Sequence, residues 1–478
     1  MNEQLALAGV VLASISGMVG LPSSRRGRTG ERIAVALMAL ASLAMAVAAV
    51  RALVAPDTAV PLRLSFPLPD QAMAVEIDAL SAMFLLQIAA LALLGSIYGL
   101  GYWAQPDHPD NGRKLRLFYG VIVGGMALLV IARNSLLFLF GWEIMALAAF
   151  LTITTEDEVP AVREVGYIYL VSTRIGTLAV FATFTLLAQA LGSWELAGSA
   201  DASTPLATGT FVVALIGFGV KAGIMPAHIW LPGAHSNAPS HVSALMSGVL
   251  IKMGIYGLLR VASLYPSPPL WWGLLVLGLG LVSGVFGVAF AIGQHDIKRL
   301  LAYHSVENIG IICMGVGVAL IGRSTGNPAL VALGLAGALL HVWNHGLFKA
   351  LLFLAAGSVI HGSGTREIDH LGGLLKRMRW TGLWFLVGAV AICGLPPLNG
   401  FISELFVYVG LLDLTTGTSG TVWLAGALAA ALLALIGALA VACFVKVFGT
   451  VFLGAPRSRD ADAAHEAPRA MLGPIFAL

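Results

Sequence analysis

The 478 residues are 58% hydrophobic and 11% charged, with a mean hydropathy of +0.89. Soluble domains carry roughly 25% charged residues, so this chain cannot solvate the surface of a water-soluble fold and reads as an integral membrane protein. The net charge of +3 carries no nucleic-acid signature, and Cys313, Cys393 and Cys443 lie singly in apolar runs, without the spacing of a disulfide framework or an iron–sulfur site.

Apolar runs bounded by charges and turn residues predict spans at 4–21, 32–54, 78–103, 115–132, 135–153, 165–191, 208–225, 241–263, 270–292, 300–321, 329–359, 380–411 and 421–453. The runs are continuous rather than alternating, which argues against a β-barrel. The first has no basic flank before it and four arginines after it, unlike a cleavable signal. The connection at 55–77 alternates apolar positions among prolines and reads as an outward-facing hairpin or extended cap. The tail, 468–478, reads as the start of a fourteenth span or a stub. The expected class is an all-α polytopic membrane protein with 13–14 transmembrane helices. Its expected divisions are N-terminal helices with the hairpin (1–110), a first five-helix unit (111–265), a second (266–455), and a loop with the start of a further helix (456–478). Five is odd, so the second unit would be inverted relative to the first, an arrangement that builds a midplane site in many transporters.

The cations set the orientation. Seventeen Lys and Arg residues fall in the odd-to-even connections, among them Arg25, Arg26, Arg113, Lys298, Arg366 and Arg457; only Arg51, Arg63, Arg133, Arg260 and Arg323 fall in the alternate ones. The positive-inside rule then places the odd-to-even loops in the cytoplasm and the N-terminus outside.

Five cations remain inside the spans: Arg174, Lys221, Lys252, Lys349 and Lys446. Glu143, His341, His345 and Glu404 join them. A charge at the bilayer centre costs on the order of 3 kcal/mol, so such groups face a partner or a wet cavity. Glu143 is read either as a carboxyl satisfied by a neighbouring helix or as one that pairs with a buried cation and tunes its proton affinity. Lys221 lies where Pro226 and Pro232 interrupt a helix, which frees backbone groups and opens the chain around it. Lys252 sits mid-span, where snorkelling is hard. His341, His345 and Lys349 recur every four residues and form one helical stripe. The HxxxH spacing could hold a metal, but no third ligand is in register and a lysine shares the face, so a proton relay fits better. Glu404 follows the break at Pro396 and Pro397. Lys446, near a span end, reads as a snorkelling anchor, and GLGLVSG (278–284) as a glycine-rich helix face rather than a dinucleotide loop.

At these residues the chain resembles a known family. The strings GWE (141–143), VKAGIMPAHIWLPGAHSNAPSHVSALMSG (220–248), HDIKRLLAYHSVENIGII (295–312) and HVWNHGLFKALLFLAAGSVIH (341–361) look like the antiporter-like subunits of respiratory complex I and its relatives. Within that superfamily they are most similar to component B of group 4 membrane-bound nickel–iron hydrogenases. The resemblance implies a Glu–Lys pair, Glu143 with Lys221. It also implies that Lys252 is a bridging lysine, that the Lys349 helix connects onward, and that Glu404 is the exit on a broken twelfth helix. Arg174, His228, His235 and His304 are accessory candidates. The implied function is a proton-translocating subunit of a redox-driven complex, with no cofactor or metal of its own. It would sit in the cytoplasmic membrane among lipids and other membrane subunits of that complex, with no nucleic acid. The alternatives are a subunit of a multi-subunit cation/proton antiporter, an ion-coupled module serving a soluble partner, and a structural anchor whose polar axis has degenerated.

Overall fold

The structure, a computed structural model, describes residues 1–55, 61–65, 72–416 and 420–478. The predicted spans appear in order as α1 (Asn2–Ile15), which a short 3-10 turn carries on to Gly20, α2 (Thr29–Val54), α3 (Ala79–Tyr102), α4 (Gly112–Ile131), α5 (Ser135–Ile153), α6 (Pro160–Leu191) and α7 (Pro205–Ala222). A short α8 (Trp230–Asn237) follows. The eighth span is α9 (Ser240–Leu245), a π-turn at Met246–Leu250, and α10 (Lys252–Ser263). Then come α11 (Leu270–Ile292), α12 (Ile297–Thr325) and α13 (Pro328–Ser363). The span expected at 380–411 is two pieces, α14 (Arg379–Ile392) and α15 (Asn399–Thr416), before α16 (Gly420–Phe452) and the short α17 (Arg459–Ala463) and α18 (Arg469–Ala477). Among the described residues, twelve spans are long and apolar enough to cross a membrane as continuous segments. The break at the prolines of 393–398 removes the thirteenth from that set.

Side chains mark where these helices begin. Asn134 Oδ1 accepts from the Leu136 and Leu137 amides, Asp296 Oδ1 from Lys298 and Arg299, and Asn327 Oδ1 from Ala329 and Leu330, satisfying N–H groups that have no partner within the helix. In the 55–77 connection, β1 (Leu62–Ser65) pairs antiparallel with β2 (Ala72–Val75), Leu62 opposite Val75. The expected hairpin is therefore present in its strands, and its turn lies outside the described residues.

The chain divides into two compact units: 1–200 with 205–218 and 237–264, and 201–204 with 219–236 and 265–478. In the first unit the cation-rich connections meet one another. Gln105 Nε2 donates to Arg25 O at 2.7 Å, Arg113 to Leu21 O at 2.6 Å, and Lys114 pairs with Asp157 at 3.0 Å. At its other end β2 is tied to the α4–α5 turn by Arg133 N donating to Ala74 O (2.8 Å), and that turn to the 193–200 loop by Leu196 N donating to Arg133 O (2.7 Å). In the second unit the 293–296 and 364–370 connections are stitched by Arg366–Asp296 (2.8 Å) and Ile368 N to His295 O (2.8 Å), with Arg457 donating to Asp369 O (2.9 Å). The glycine-rich face of α11 lies directly on α12: a Cβ on Gly280 would meet Gly310 O at 2.7 Å, so only glycine permits this backbone approach.

Candidate functional site

In the first unit, Glu143 projects from α5 toward α6, where Arg174 Nη1 donates to its Oε2 at 2.5 Å. Within this unit the cation paired with Glu143 is an arginine one helix away. Both side chains are half-exposed on a face that also presents Ile144, Leu147, Ile175 and Leu178. Lys252 is fully buried, and its Nζ donates to Ser247 O inside the π-turn.

In the second unit, Lys221 is buried in the last turn of α7. The helix ends one residue later at Ala222, and Gly223 follows with φ +77°. The freed backbone is repaired locally: Trp230 Nε1 donates to Val220 O (2.8 Å) and Met225 N to Ser283 Oγ (3.0 Å). This is the broken helix that Pro226 and Pro232 predict, with its polar groups satisfied rather than left to lipid. His228 lies in the break, its Nδ1 3.3 Å from Pro226 O, and His235 is buried between Trp230 and Phe353 with ring centroids at 6.3 and 5.7 Å.

The most connected polar cluster joins α12, α13 and α15. His341 Nε2 donates to Asn308 Oδ1 at 3.1 Å, and its Nδ1 lies 3.0 Å from Ser403 Oγ. Asn344 Nδ2 donates to Asn399 O (2.7 Å) and Ser403 Oγ (3.2 Å), fastening α13 to the first turn of α15 just past the break. One turn along, the His345 ring stacks on His341 at 6.3 Å and 11°. A further turn on, Lys349 is wholly buried, its ammonium 5.8 Å from the Phe353 ring centroid and without a hydrogen bond among the described residues. His341 and His345 thus share one face of α13, with Lys349 one turn further along the same helix. With both His341 nitrogens engaged by Ser403 and Asn308, that ring does not converge with His345 on a metal. Glu404 lies over the break: a Cβ on Gly394, at φ +61°, would collide with its carboxylate. Lys446 reaches the end of its neighbour, where Nζ donates to Ile292 O at 2.8 Å and closes the C-terminus of α11.

Sequence reasoning missed Glu307. It is 1% exposed on α12 and bonded by His304 Nδ1, with the His304 ring 4.7 Å from that of Phe444. It was legible as part of a polar set at 304, 307 and 308, one helix face inside an apolar span. Arg133 and Arg260, counted as loop cations, prove to be buried around Asp78.

A family model described as NADH:quinone oxidoreductase/Mrp antiporter, TM, matches residues 132–433. Hydrogenase-4 component B of Escherichia coli strain K12 is 42% identical over 404 residues, covering 83% of this chain and 60% of that protein. Formate hydrogenlyase subunit 3 of the same organism is 39% identical over 407 residues, covering 84% and 65%. The chain therefore spans somewhat under two thirds of the length of these curated relatives. Among solved structures, a chain of the membrane-bound sulfane sulfur reductase, an archaeal respiratory membrane complex, superposes with a TM-score of 0.82 at 23% identity, covering 98% of this chain and 74% of that one. A chain of the Mrp complex from Dietzia sp. does so with a TM-score of 0.83 at 20% identity, covering 100% and 92%; at these identities the likeness is one of fold. By the family match and the relatives together, the chain belongs to the NADH:quinone oxidoreductase/Mrp antiporter family of multi-pass membrane subunits.

Proposed function

We propose that this chain is the proton-translocating subunit of a redox-driven membrane complex and carries out no redox chemistry itself. Protons move through Glu143, Lys221, Lys252, His341, His345, Lys349 and Glu404, with Arg174, His228, His235 and His304 as accessory groups. The observation that carries this reading is the buried hydrogen-bonded cluster of His341, Asn308, Ser403 and Asn344, which continues along α13 to a buried lysine. Burying an amine without a hydrogen bond is costly, and a protein keeps one where its proton must come and go. The two five-helix units, 111–265 and 266–455, would be inverted copies that each supply part of this line. The partners would be other membrane subunits of a hydrogenase- or quinone-type module in the cytoplasmic membrane.

The experiment is ΔpH formation in sealed vesicles containing the native complex. Glu143→Gln and Lys221→Ala should each abolish proton movement while the complex still assembles; wild-type ΔpH in both would refute the reading. Relatives named as Na(+)/H(+) antiporter subunits, such as one from Alkalihalophilus pseudofirmus at 30% identity over 83% of this chain, favour cation/proton antiport as the second reading. Co-purified partners separate the two: redox subunits in one case, small antiporter subunits in the other. The N-terminus is placed outside by the positive-inside bias. Impermeant thiol reagent should then label Ser199→Cys in intact cells and Ser24→Cys only after lysis.

A further inference from the structure

Among the described residues, α12 packs against α11, α13, α15 and α16 within its unit and is buried along its whole apolar window. A helix so enclosed has no solvent to support charge, yet it carries Glu307 and His304 at 1% and 0% exposure, bonded to one another one turn apart. Taking two such groups out of water costs several kcal/mol, and their mutual attraction does little more than break even. The pair adds little stability, so its presence calls for a function.

Its surroundings indicate which. The helices packed around it carry Lys349 on α13, Glu404 on α15 and Cys443 on α16, with Cys393 at the break before α15; α11 contributes no group that titrates. Glu307 stands on the face of α12 beside Asn308, and α12 packs against α13, which carries Lys349, and against α15, which carries Glu404. The adjacent Asn308 bonds the His304 carbonyl (2.8 Å) and the His341 ring (3.1 Å), so α12 also joins the histidine stripe. His304 lies seven residues, ~10 Å, inside the Ile297 end of α12, and Glu307 lies ~15 Å inside it, roughly half the hydrocarbon thickness. That end is the cation-rich connection held by Asp296 and Arg366.

We infer that His304 and Glu307 form a proton-holding dyad that feeds Lys349 from the 293–296 connection. This inference rests on the proton-translocation reading above. The imidazole takes a proton at one ring nitrogen and gives one up from Nδ1 to the Glu307 carboxylate. The carboxyl then passes it to the neutral Lys349 amine, leaving carboxylate and ammonium. A charge formed there repels a proton approaching behind it and attracts the Glu404 carboxylate ahead, so the dyad loads one proton per cycle. Glu307 is here a proton carrier, and His304 both positions it and supplies it.

The test uses the full chain in its native complex in sealed vesicles, recording ΔpH and the amount of assembled complex together. Glu307→Gln should slow proton movement roughly tenfold or more at normal assembly. Glu307→Asp should retain an intermediate rate with an altered pH profile, which a packing defect would not produce. Infrared difference spectra should show a buried carboxyl C=O band in the wild type that Glu307→Gln removes. If the Gln variant does not assemble, the Asp and His304→Gln variants carry the same test. Wild-type rates and pH profile in the assembled variants, or a carboxyl region of the difference spectrum that Glu307→Gln leaves unchanged, overturn the dyad while leaving the translocation reading standing. A wild-type complex that forms no ΔpH instead overturns that reading.

Discussion

Around Asp78, charge is matched by charge. Its carboxylate accepts from Arg260 Nη1 (2.7 Å) and Nη2 (3.0 Å), from Arg133 Nη2 (3.1 Å) and from the Ser81 amide (2.8 Å), while Tyr256 and Ser81 hydroxyls fill in behind. Around Lys349 the pattern is reversed: an amine wholly inside the protein lies 5.8 Å from the Phe353 ring centroid, with no hydrogen bond of its own among the described residues. Both clusters draw on several helices and both are conspicuous in so apolar a chain. The saturated one joins the start of α3, the α4–α5 turn and the end of α10, at the end of the bundle where the hairpin lies. The unsaturated one lies inside a span. Saturation makes a staple, since every charge there loses a partner if an element moves. An unmatched amine makes a poor staple, but its protonation state is free to change.

The sharpest way to break this contrast is a crossed pair of substitutions. Lys349→Ala should cut proton movement in vesicles by roughly tenfold or more without lowering the yield of folded protein. Arg260→Ala should do the opposite, costing roughly 2 kcal/mol of stability in thermal or denaturant unfolding while each surviving complex pumps normally. Equal effects of the two on stability would erase the distinction. A smaller effect is expected from Gly394→Ala. Its Cβ would fall on the Glu404 carboxylate and force a left-handed backbone that costs a non-glycine residue about 1 kcal/mol. Transport should fall severalfold with the charge of Glu404 unaltered, and an unchanged rate would mean that the carboxylate's position is immaterial.

The smallest effect is a pH dependence. Burial pushes the Asp78 carboxyl up, but the Arg260 hydrogen bonds and charge, with Arg133, outweigh it and hold the group well below the usual carboxylate range. A carboxyl depressed in the folded state contributes stability that is complete above its unfolded value near about 4 and is lost as pH falls through that value toward the folded one. The stability gap between wild type and Asp78→Asn should therefore be constant from neutral pH to about 5 and close on further acidification. A gap that instead widened in acid would mean the network is not charge-saturated.

Periodicity and composition were sufficient for the spans. Continuous apolar runs of about 20 residues leave a lipid-embedded chain no choice but helix, because each backbone amide must find its acceptor within its own segment. The breaks at Lys221 and Glu404 were legible for the same reason, since proline withholds a donor and glycine admits the left-handed turn that follows, seen at Gly223 and Gly394. The His341–His345–Lys349 stripe was legible because partners on one helix keep a fixed spacing. Partners on different helices have no such spacing. That Glu143 meets Arg174 across α5 and α6, that Lys446 closes the end of α11, and that Asp78 gathers Arg133 and Arg260 from far along the chain depend on which helix faces bury one another. Glu307 shows the boundary most clearly. Its residue type and helix face are written in the chain, but only the packing of α11, α13, α15 and α16 around it excludes the water that would otherwise solvate it.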